Sequence, residues 1–294
     1  MQINLQHSRL ATANLLKIIK GEDTDVICIQ EPYNIGSKIV GIPRSWTVFT
    51  SGAGKKRAAI VVNDKHIDAI LISQLSDEDA TIIEARLGSA TLVIACIYFD
   101  LKRSIDQDFK KMQAVTAHAK GTGIVFAIES NARSTTWHEV LANKRGKKKE
   151  EFLISNQLHI SNIESSYTTF QTCRGASNID LTILNNTAIK YLQDWTVYDR
   201  ESCSDHNIIQ YSLGNGAFQA AKVNNTGKRY IVTQKNMEKL QATVLKTMEQ
   251  ITRETGSVVK GEDMLDQTWC QRVKRAPNIE AVVDELQDIL EDPR

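Results

Sequence analysis

The stretch Gly123-Ile-Val-Phe-Ala-Ile-Glu-Ser-Asn131 decides the fold class of this chain. Its run of apolar residues lacks the polar alternation of a half-exposed strand, so it predicts a strand that is buried on both faces. A carboxylate and an amide, Glu129 and Asn131, stand at its exit, where packing does not call for them. The stretch predicts an inner strand of a layered α/β fold, with chemically useful groups at its end.

A second stretch nearer the N-terminus repeats this design. Val26-Ile-Cys-Ile-Gln-Glu31 is another short apolar run that ends in a carboxylate, and Pro32 closes it. Apolar residues at helical spacing predict one helix over residues 11–20, ended by Gly21, and another over residues 106–119. Several further strands are predicted between them, so the chain should be of the α/β class.

Bulk composition narrows the class of protein. The chain has 294 residues, 41% of them hydrophobic, and a formal net charge of +1. This balance excludes a strongly basic protein, although a local basic groove would be enough for a nucleic-acid enzyme. The five cysteines include no Cys-x-x-Cys pair, which indicates a reducing compartment and no disulfide framework. With no signal-like start and no membrane-length apolar run, we expect a soluble, intracellular protein.

The chain divides into three parts. Residues 1–213 carry the strands of the predicted domain, and residues 214–230 are rich in Ala, Asn, Lys and Gly, like a linker. Residues 231–294 contain two apolar stripes at helical spacing, which predict a helical C-terminal extension. The start at Met1 falls almost inside the first strand, which predicts a clipped N-terminus.

The tripeptide Ser204-Asp205-His206 precedes an apolar, strand-like segment. Alone it is a weak signal, because Ser and Asp are also turn residues. It gains weight because other polar residues end or punctuate apolar strands over about two hundred residues. The full set is Asn4, Glu31, Tyr98, Glu129, Asn131, Asp180, Asp205 and His206.

This set predicts a particular chemistry if the strand ends converge. Carboxylates and an amide are the oxygen ligands that Mg²⁺ prefers, and a His beside an Asp suits charge stabilisation on a phosphate. The set therefore fits metal-assisted phosphodiester hydrolysis. Zinc-ligand spacing, a Walker loop and a Gly-x-Ser-x-Gly elbow are all missing from the sequence.

In this order the motifs resemble the endonuclease/exonuclease/phosphatase superfamily, whose members include DNase I-like and apurinic/apyrimidinic endonuclease-like proteins. The sequence is similar to the endonuclease domain of insect non-LTR retrotransposons of the R1, TRAS and SART type. Five segments carry the similarity: Ile-Asn-Leu-Gln-His-Ser-Arg, Ile-Gln-Glu-Pro-Tyr, Ser-Asn-Ala-Arg-Ser-Thr-Thr-Trp, Asn-Ile-Asp-Leu-Thr and Ser-Asp-His. The resemblance covers roughly residues 1–213. It implies a four-layered α/β sandwich of two mostly antiparallel sheets flanked by helices.

The resemblance also implies roles for the strand-end residues. Glu31, with Asn4 and Asp205 nearby, would hold a divalent metal, Mg²⁺ or Mn²⁺. Three further roles are implied by the family pattern. Asn131 and Tyr98 would contact the scissile phosphate, His206 oriented by Asp180 would stabilise its charge, and Glu129 would orient or deprotonate the attacking water.

Position 129 departs from the family pattern, which has Asp where this chain has Glu129. The carboxylate moves outward by one methylene, and a positioning error of about 1 Å can cost around 10²-fold in rate. Either an active endonuclease or a catalytically weakened, DNA-binding remnant is consistent with this change.

Six residues are candidates for contacting DNA. They fall in the loop after Asn131 and in a glycine-basic loop: Arg133, Ser134, Thr136, Lys55, Lys56 and Arg57. Loop packing and a solvated turn are the alternative accounts. A basic run at residues 144–149, before a helix predicted over residues 151–157, could also touch phosphates or could be a solvated helix start.

The leading hypothesis is a divalent-metal-dependent DNA endonuclease that nicks a strand to leave a 3′-hydroxyl, as in target-primed retrotransposition. The implied partners are a double-stranded DNA target and a reverse transcriptase domain of the same polyprotein, and the implied location is the nucleus. The inactive remnant is the second hypothesis. A phosphatase for inositol phosphates or lipids, on the same fold, is the third.

Overall fold

The computed structural model describes residues 1–64, 66–87, 90–198 and 200–214. Within these ranges the α-helices are α1 (Arg9–Lys20), α2 (Ile105–Ala119) and α3 (Lys144–Ser155). Short 3-10 turns occur at Ser73–Leu75, Thr135–Trp137 and Ile189–Tyr191. The strands are β1 (Gln2–Asn4), β2 (Val26–Gln30), β3 (Asn34–Ile35), β4 (Lys38–Ile39), β5 (Thr47–Phe49), β6 (Ala58–Val62), β7 (Asp68–Leu71), β8 (Ala80–Leu87), β9 (Ala90–Tyr98), β10 (Gly123–Glu129), β11 (Leu158–Ile160), β12 (Phe170–Thr172), β13 (Gly175–Ser177), β14 (Asp180–Asn185), β15 (Leu192–Val197) and β16 (Ile209–Leu213).

Two six-stranded sheets form the centre of the domain. The first sheet has the strand order β15-β16-β1-β2-β6-β5, and the second has the order β11-β14-β10-β9-β8-β7. Neighbouring strands are antiparallel except for one parallel pair in each sheet, β1 with β2 and β9 with β10. Parallel strands end at the same edge of a sheet, so each sheet presents two strand ends side by side.

Apolar side chains divide the domain into four layers. Residues of β2 and β6 pack against residues of β8, β9 and β10 to form the core between the two sheets. The helix α1 covers the outer face of the first sheet with Leu15, Ile18 and Ile19. The helices α2 and α3 cover the outer face of the second sheet, with Phe109 of α2 stacked on Phe152 of α3 at 4.3 Å. The predicted four-layered α/β sandwich is therefore observed.

The strand over residues 123–129 lies in the centre, as its composition predicts. All seven residues of β10 are buried, and β10 pairs with β9 on one side and β14 on the other. The predicted helical extension over residues 231–294, and all of the predicted linker after residue 214, lie outside the described residues. Within the part of the chain that is described, no helix is both long enough and apolar enough to cross a membrane.

The sequence indicates that the basic run at residues 144–149 precedes a helix. In the structure this run is instead the first half of α3. The Asn143 side chain accepts a hydrogen bond from Gly146 N at 2.8 Å and so caps the helix seven residues earlier than predicted. Lys149 turns inward, where its Nζ lies 3.9 Å from the centroid of the Phe99 ring. Burial lowers the pKa of Lys149 to about 7. The run is therefore partly a core element.

Gly146 permits a close approach between α3 and the loop after β10. A Cβ added at this position would lie 1.8 Å from the Arg133 carbonyl oxygen, which is backbone and cannot swing aside. We expect Gly146→Ala to destabilise the domain by about 1–3 kcal/mol, because the clash outweighs the gain in helix propensity. Thermal unfolding should then occur roughly 2–10 °C lower. Lys147→Ala, at an exposed position of the same helix, is the control and should leave the midpoint within about 2 °C. An unchanged midpoint in Gly146→Ala would contradict the close approach.

Candidate active site

The predicted site residues converge where the two sheets end on the same side. Asn4 ends β1, and Glu31 directly follows β2 in the first sheet. In the second sheet, Glu129 is the register partner of Tyr98 on β9 and of Asp180 on β14. Pairing across three adjacent strands thus brings together side chains that lie far apart in the sequence.

Glu129 is the centre of the cluster and joins the two sheets. Its Oε2 accepts a hydrogen bond from Asn4 Nδ2 of the first sheet, and its Oε1 accepts one from Asn131 Nδ2 at 3.1 Å. Asn4 Nδ2 also lies 3.3 Å from Glu31 Oε2. The Glu129 side chain therefore reaches across to the opposite sheet.

Burial raises the pKa of Glu129 to about 7, and the negative charges of Asp180 and Glu31 add to the rise. The nearby His206 imidazolium and the amide of Asn4 act in the opposite direction. A carboxyl group with such a pKa is poised to exchange a proton near neutral pH, which is what a general base requires.

His206 and Asp180 form a buried pair. His206 Nδ1 lies 2.8 Å from Asp180 Oδ2, and the side chains of both residues are less than 5% exposed. Burial alone would lower the pKa of His206, but the charge and hydrogen bond of Asp180 outweigh it and raise the pKa to about 9. The Phe170 ring, 4.8 Å from the imidazole in an edge-on arrangement, fixes the plane of the ring. At neutral pH the site therefore contains an imidazolium cation.

Tyr98 lies between this cluster and a group of ion pairs. Burial and the neighbouring carboxylates of Glu129 and Glu31 raise its pKa, so the hydroxyl stays protonated and can donate. The guanidinium of Arg57 lies 4.8 Å from the centroid of the Tyr98 ring. Arg57 is itself paired with Asp79 and Asp100, which holds it beside the ring.

The amide of Asn131, which is expected to donate to a phosphate, donates in the structure to two groups of the protein. Its Nδ2 donates to Glu129 Oε1 and, at 3.0 Å, to the Phe99 carbonyl oxygen. Both amide hydrogens are therefore engaged. The contact to the scissile phosphate stays a prediction, whereas the structure shows Asn131 holding the carboxylate of Glu129.

Gln6 is a site residue that the sequence did not reveal. Its Nε2 donates to Asp205 Oδ2 at 2.9 Å, and its Oε1 accepts from Asp205 N at 3.0 Å. Its own backbone N–H donates to Asn4 Oδ1 at 2.6 Å. Gln6 thus links Asp205 to Asn4. In the sequence, Gln6 is only one of the polar residues that alternate with apolar residues along the first strand.

Left-handed backbone is concentrated around the cluster. Positive φ angles occur at Gln6, Glu31 and Asn131 of the site and at the neighbouring residues His7 and Cys203, with values from 44° to 56°. Such conformations cost energy in residues other than glycine and tend to persist where function requires them. They lie directly after β1, β2 and β10 and ahead of β16, where the chain turns away from the sheets.

The residues present fit a hard divalent cation. Glu31 is 22% exposed at its side chain, and it lies beside the amide of Asn4, while Asp205 is partly exposed on the far side of Gln6. Within the described ranges, no group of three or more His, Cys, Asp or Glu side chains is arranged to hold a metal. Glu31 and Asp205 can supply carboxylate oxygens, which suit both Mg²⁺ and Mn²⁺, ions that keep several waters.

The loop after Asn131 exposes only part of the predicted DNA contact. Arg133 and Thr136 are exposed, but Ser134 is fully buried. The hydroxyls of Ser134 and Thr136 both donate to Glu150 Oε1 of α3. As placed, Ser134 is thus unavailable to DNA, because its side chain is needed to attach the loop to the helix.

The glycine-basic loop shows a similar division. Lys55 is exposed, whereas Lys56 is 5% exposed and its Nζ donates to the Gly52 carbonyl oxygen. Arg57 is held by the two aspartates beside Tyr98. Of these three predicted contacts, the structure leaves only Lys55 freely exposed.

Known proteins share this fold and parts of the sequence. The family described as Endonuclease-reverse transcriptase matches residues 92–210. A 115 kDa protein of the type-1 retrotransposable element R1DM of Drosophila melanogaster is 26% identical over 218 residues, 71% of this chain and 21% of that protein. The retrovirus-related Pol polyprotein of type-1 retrotransposable element R1 of Bradysia coprophila is 24% identical over 184 residues, 59% of this chain and 18% of that protein. The chain thus spans about a fifth of these curated relatives.

Two solved structures show the fold directly. The endonuclease domain of TRAS1, a telomere-specific non-LTR retrotransposon, superposes with a TM-score of 0.66 at 28% identity, and covers 72% of this chain and 96% of that one. The AP endonuclease LMAP of Leishmania major has a TM-score of 0.57 at 11% identity, with 73% and 86% covered, which shows the fold alone.

The two facing sheets have the DNase I-like arrangement that is also seen in the TRAS1 endonuclease domain and in LMAP. In sequence and structure the chain is similar to the endonuclease domain of a non-LTR retrotransposon, within the endonuclease/exonuclease/phosphatase superfamily. The resemblance drawn from the sequence is confirmed.

Proposed function

We propose that this domain is a DNA endonuclease that depends on a divalent metal and nicks one strand of a double-stranded target, leaving a 3′-hydroxyl. The observation that carries the proposal is the meeting of both sheets at Glu129, with Asn4 and Glu31 on one side and the His206–Asp180 pair on the other. Similarity to the endonuclease domain of TRAS1, at 28% identity, supports the same activity.

Each side chain has a role that its surroundings allow. The deprotonated Glu129 takes a proton from the attacking water, while Asn131 holds one of its oxygens. The His206 imidazolium stabilises the charge that develops on the phosphate, and Asp180 keeps that ring charged and oriented. The Tyr98 hydroxyl, which stays protonated, donates to a phosphate oxygen.

Glu31, Asn4 and Asp205 would hold the cation, Mg²⁺ or Mn²⁺. When bound, the cation neutralises charge on the phosphate and on the leaving oxygen. Gln6 orients Asp205 through two hydrogen bonds and Asn4 through its backbone N–H, and Asn4 Nδ2 in turn donates to Glu31 Oε2, so these hydrogen bonds set the positions of the three side chains. The 3′-hydroxyl could then prime a reverse transcriptase domain of the same polyprotein, acting in the nucleus.

Nicking of supercoiled plasmid tests the proposal directly. The chain is compared with Glu129→Asp and His206→Ala, with and without Mg²⁺. Metal-dependent nicking that is lost in His206→Ala supports the endonuclease. If only Glu129→Asp nicks, the site is correct and this chain is the inactive remnant, an alternative motivated by Glu129 itself. If all folded forms fail to nick but hydrolyse a small phosphate ester, the domain is a phosphatase.

The two adjacent lysines of the glycine-basic loop allow a matched test of DNA binding. Lys55→Ala should weaken binding at all sequences and reduce the slope of log affinity against log salt by about 1, because an exposed lysine that meets a phosphate releases one counterion. Lys56→Met should leave that slope unchanged, since the Lys56 ammonium is bound to Gly52. Equal slopes for Lys55→Ala and the unsubstituted chain would exclude Lys55 from the DNA interface.

A further inference from the structure

His7 is close to the predicted metal ligand Glu31, although no role was assigned to it. His7 Nε2 lies 3.5 Å from Glu31 Oε1, and both side chains are 22% exposed. The backbones are also joined, because His7 N donates to the Glu31 carbonyl oxygen at 2.8 Å. Both residues have left-handed φ angles, 54° for His7 and 44° for Glu31, so the two turns are built against each other.

The other ring nitrogen of His7 fixes the tautomer. Nδ1 lies 2.8 Å from the Pro32 carbonyl oxygen, which can only accept a hydrogen bond. Asn34 Nδ2 is also 3.4 Å from Nδ1, but its two hydrogens go to the closer carbonyl oxygens of Pro32 and Lys56, at 2.6 and 3.0 Å. The ring proton of a neutral His7 is therefore on Nδ1, and the lone pair is on Nε2, on the side that faces Glu31. A ring N–H bonded to a backbone carbonyl, with the opposite nitrogen free, is the usual arrangement of a metal-binding histidine.

The spacing also suits shared coordination. Two ligands about 2.1 Å from one cation lie about 3.0 Å apart at a right angle and about 3.4 Å apart at a tetrahedral angle. The observed 3.5 Å between Nε2 and Oε1 is close to this range. The second oxygen of Glu31, Oε2, is turned to Asn4, so Oε1 is the oxygen that a cation would share with His7.

We propose that His7 Nε2 and Glu31 Oε1 together bind the divalent cation of this site, so that the site carries one nitrogen ligand. This inference rests on the proposed function, because it adds a ligand to the same cation. Imidazole favours transition metals over Mg²⁺, so the site is selective for Mn²⁺ over Mg²⁺. His7 is then the residue that sets the metal preference.

Pulsed electron paramagnetic resonance of the Mn²⁺-loaded chain tests the proposal without relying on activity. A directly bound imidazole should give nitrogen modulation of the Mn²⁺ signal, and its pattern should change when histidine is labelled with ¹⁵N. The modulation should vanish in His7→Asn, a residue that tolerates the left-handed backbone. It should persist in His159→Asn, the matched control, because His159 lies on the edge strand β11 and its ring contacts Asn186.

Metal titrations of the same variants complete the test. His7→Asn should weaken Mn²⁺ binding by about tenfold and Mg²⁺ binding by less than about threefold, because only the nitrogen ligand is lost. The proposal is overturned if the unsubstituted chain shows no nitrogen modulation, or if the modulation survives in His7→Asn. Glu31→Gln distinguishes a failure of the His7 proposal from a failure of the proposed metal site itself. If that variant binds Mn²⁺ as tightly as the unsubstituted chain, the metal site of the proposed function itself is wrong.

Discussion

Replacing His206 by alanine should reduce the rate of DNA nicking by about 10²–10³-fold, the usual cost of removing one preorganised group that stabilises transition-state charge. The expectation follows from the buried contact of 2.8 Å between His206 Nδ1 and Asp180 Oδ2, which holds the imidazole as a cation. Single-turnover nicking of plasmid under saturating metal measures the effect. Asp180→Asn should show a loss of similar size, because it removes the partner that keeps the ring charged.

Because the two residues act as one unit, the double variant should be little worse than either single variant. Multiplicative losses would show that they act independently and would contradict this assignment. His206→Asn separates charge from hydrogen bonding, since an amide can still donate to Asp180 but carries no charge. If that variant nicks as well as the unsubstituted chain, charge stabilisation is not the role of His206. His159→Ala controls for the loss of a histidine elsewhere.

The His206–Asp180 pair predicts that both the stability and the nicking activity of the chain depend on pH. The pKa of His206 in the folded chain is about 9, above its ordinary value of 6.5. Its contribution to stability is therefore fully present below pH 6.5 and is lost as the pH rises through 9. A shift of this size corresponds to on the order of 3 kcal/mol. Nicking should also fall as the pH rises through 9, and denaturant unfolding of His206→Asn should lack this loss of stability.

The second large effect is expected at Glu129. Glu129→Gln should reduce nicking by about 10²–10⁴-fold, because the amide cannot accept the proton of the attacking water. Glu129→Asp keeps the carboxylate but withdraws it from the opposite sheet, where Glu129 Oε2 now meets Asn4. We expect Glu129→Asp to nick well above Glu129→Gln, since it restores the residue type of the family at an unchanged register.

The comparison of the two substitutions distinguishes charge from position. If Glu129→Asp and Glu129→Gln lose activity equally, then the reach of the side chain to Asn4 matters more than its charge. If both retain full nicking, Glu129 is not the base. Asn131→Ala gives a further measurement, because it removes the amide that holds Glu129 Oε1 and should reduce the rate without removing the carboxylate.

The sequence predicted the architecture because burial leaves a simple pattern. The uninterrupted apolar run at residues 124–128 can only be satisfied between two covered faces, and β10 is buried along its whole length. The start of helix α3 is predicted too late from the sequence, because a run of lysines has the composition of a solvated segment. Lys149 is nevertheless buried against Phe99, and Asn143 starts the helix well before the first apolar residue.

The candidate site shows where sequence reasoning ends. Residue types and their places at strand ends were sufficient to select Asn4, Glu31, Glu129, Asp180 and His206, because polar side chains at the exits of buried strands are not needed for packing. The sequence does not predict which individual atoms pair with each other. Gln6 and His7 carry no signal of their own in the sequence, and left-handed turns place them against Asp205 and Glu31.

The sequence by itself determined the layered α/β class, the inner strands and the residue types of the site, since these depend on local hydrophobic pattern. Only the tertiary structure decided that Glu129 reaches Asn4 across the two sheets, that Ser134 and Lys56 are buried, and that His7 faces Glu31. These contacts depend on strand register and on the distance between sheets. Such quantities are set by the packing of the whole domain and not by any one stretch of it.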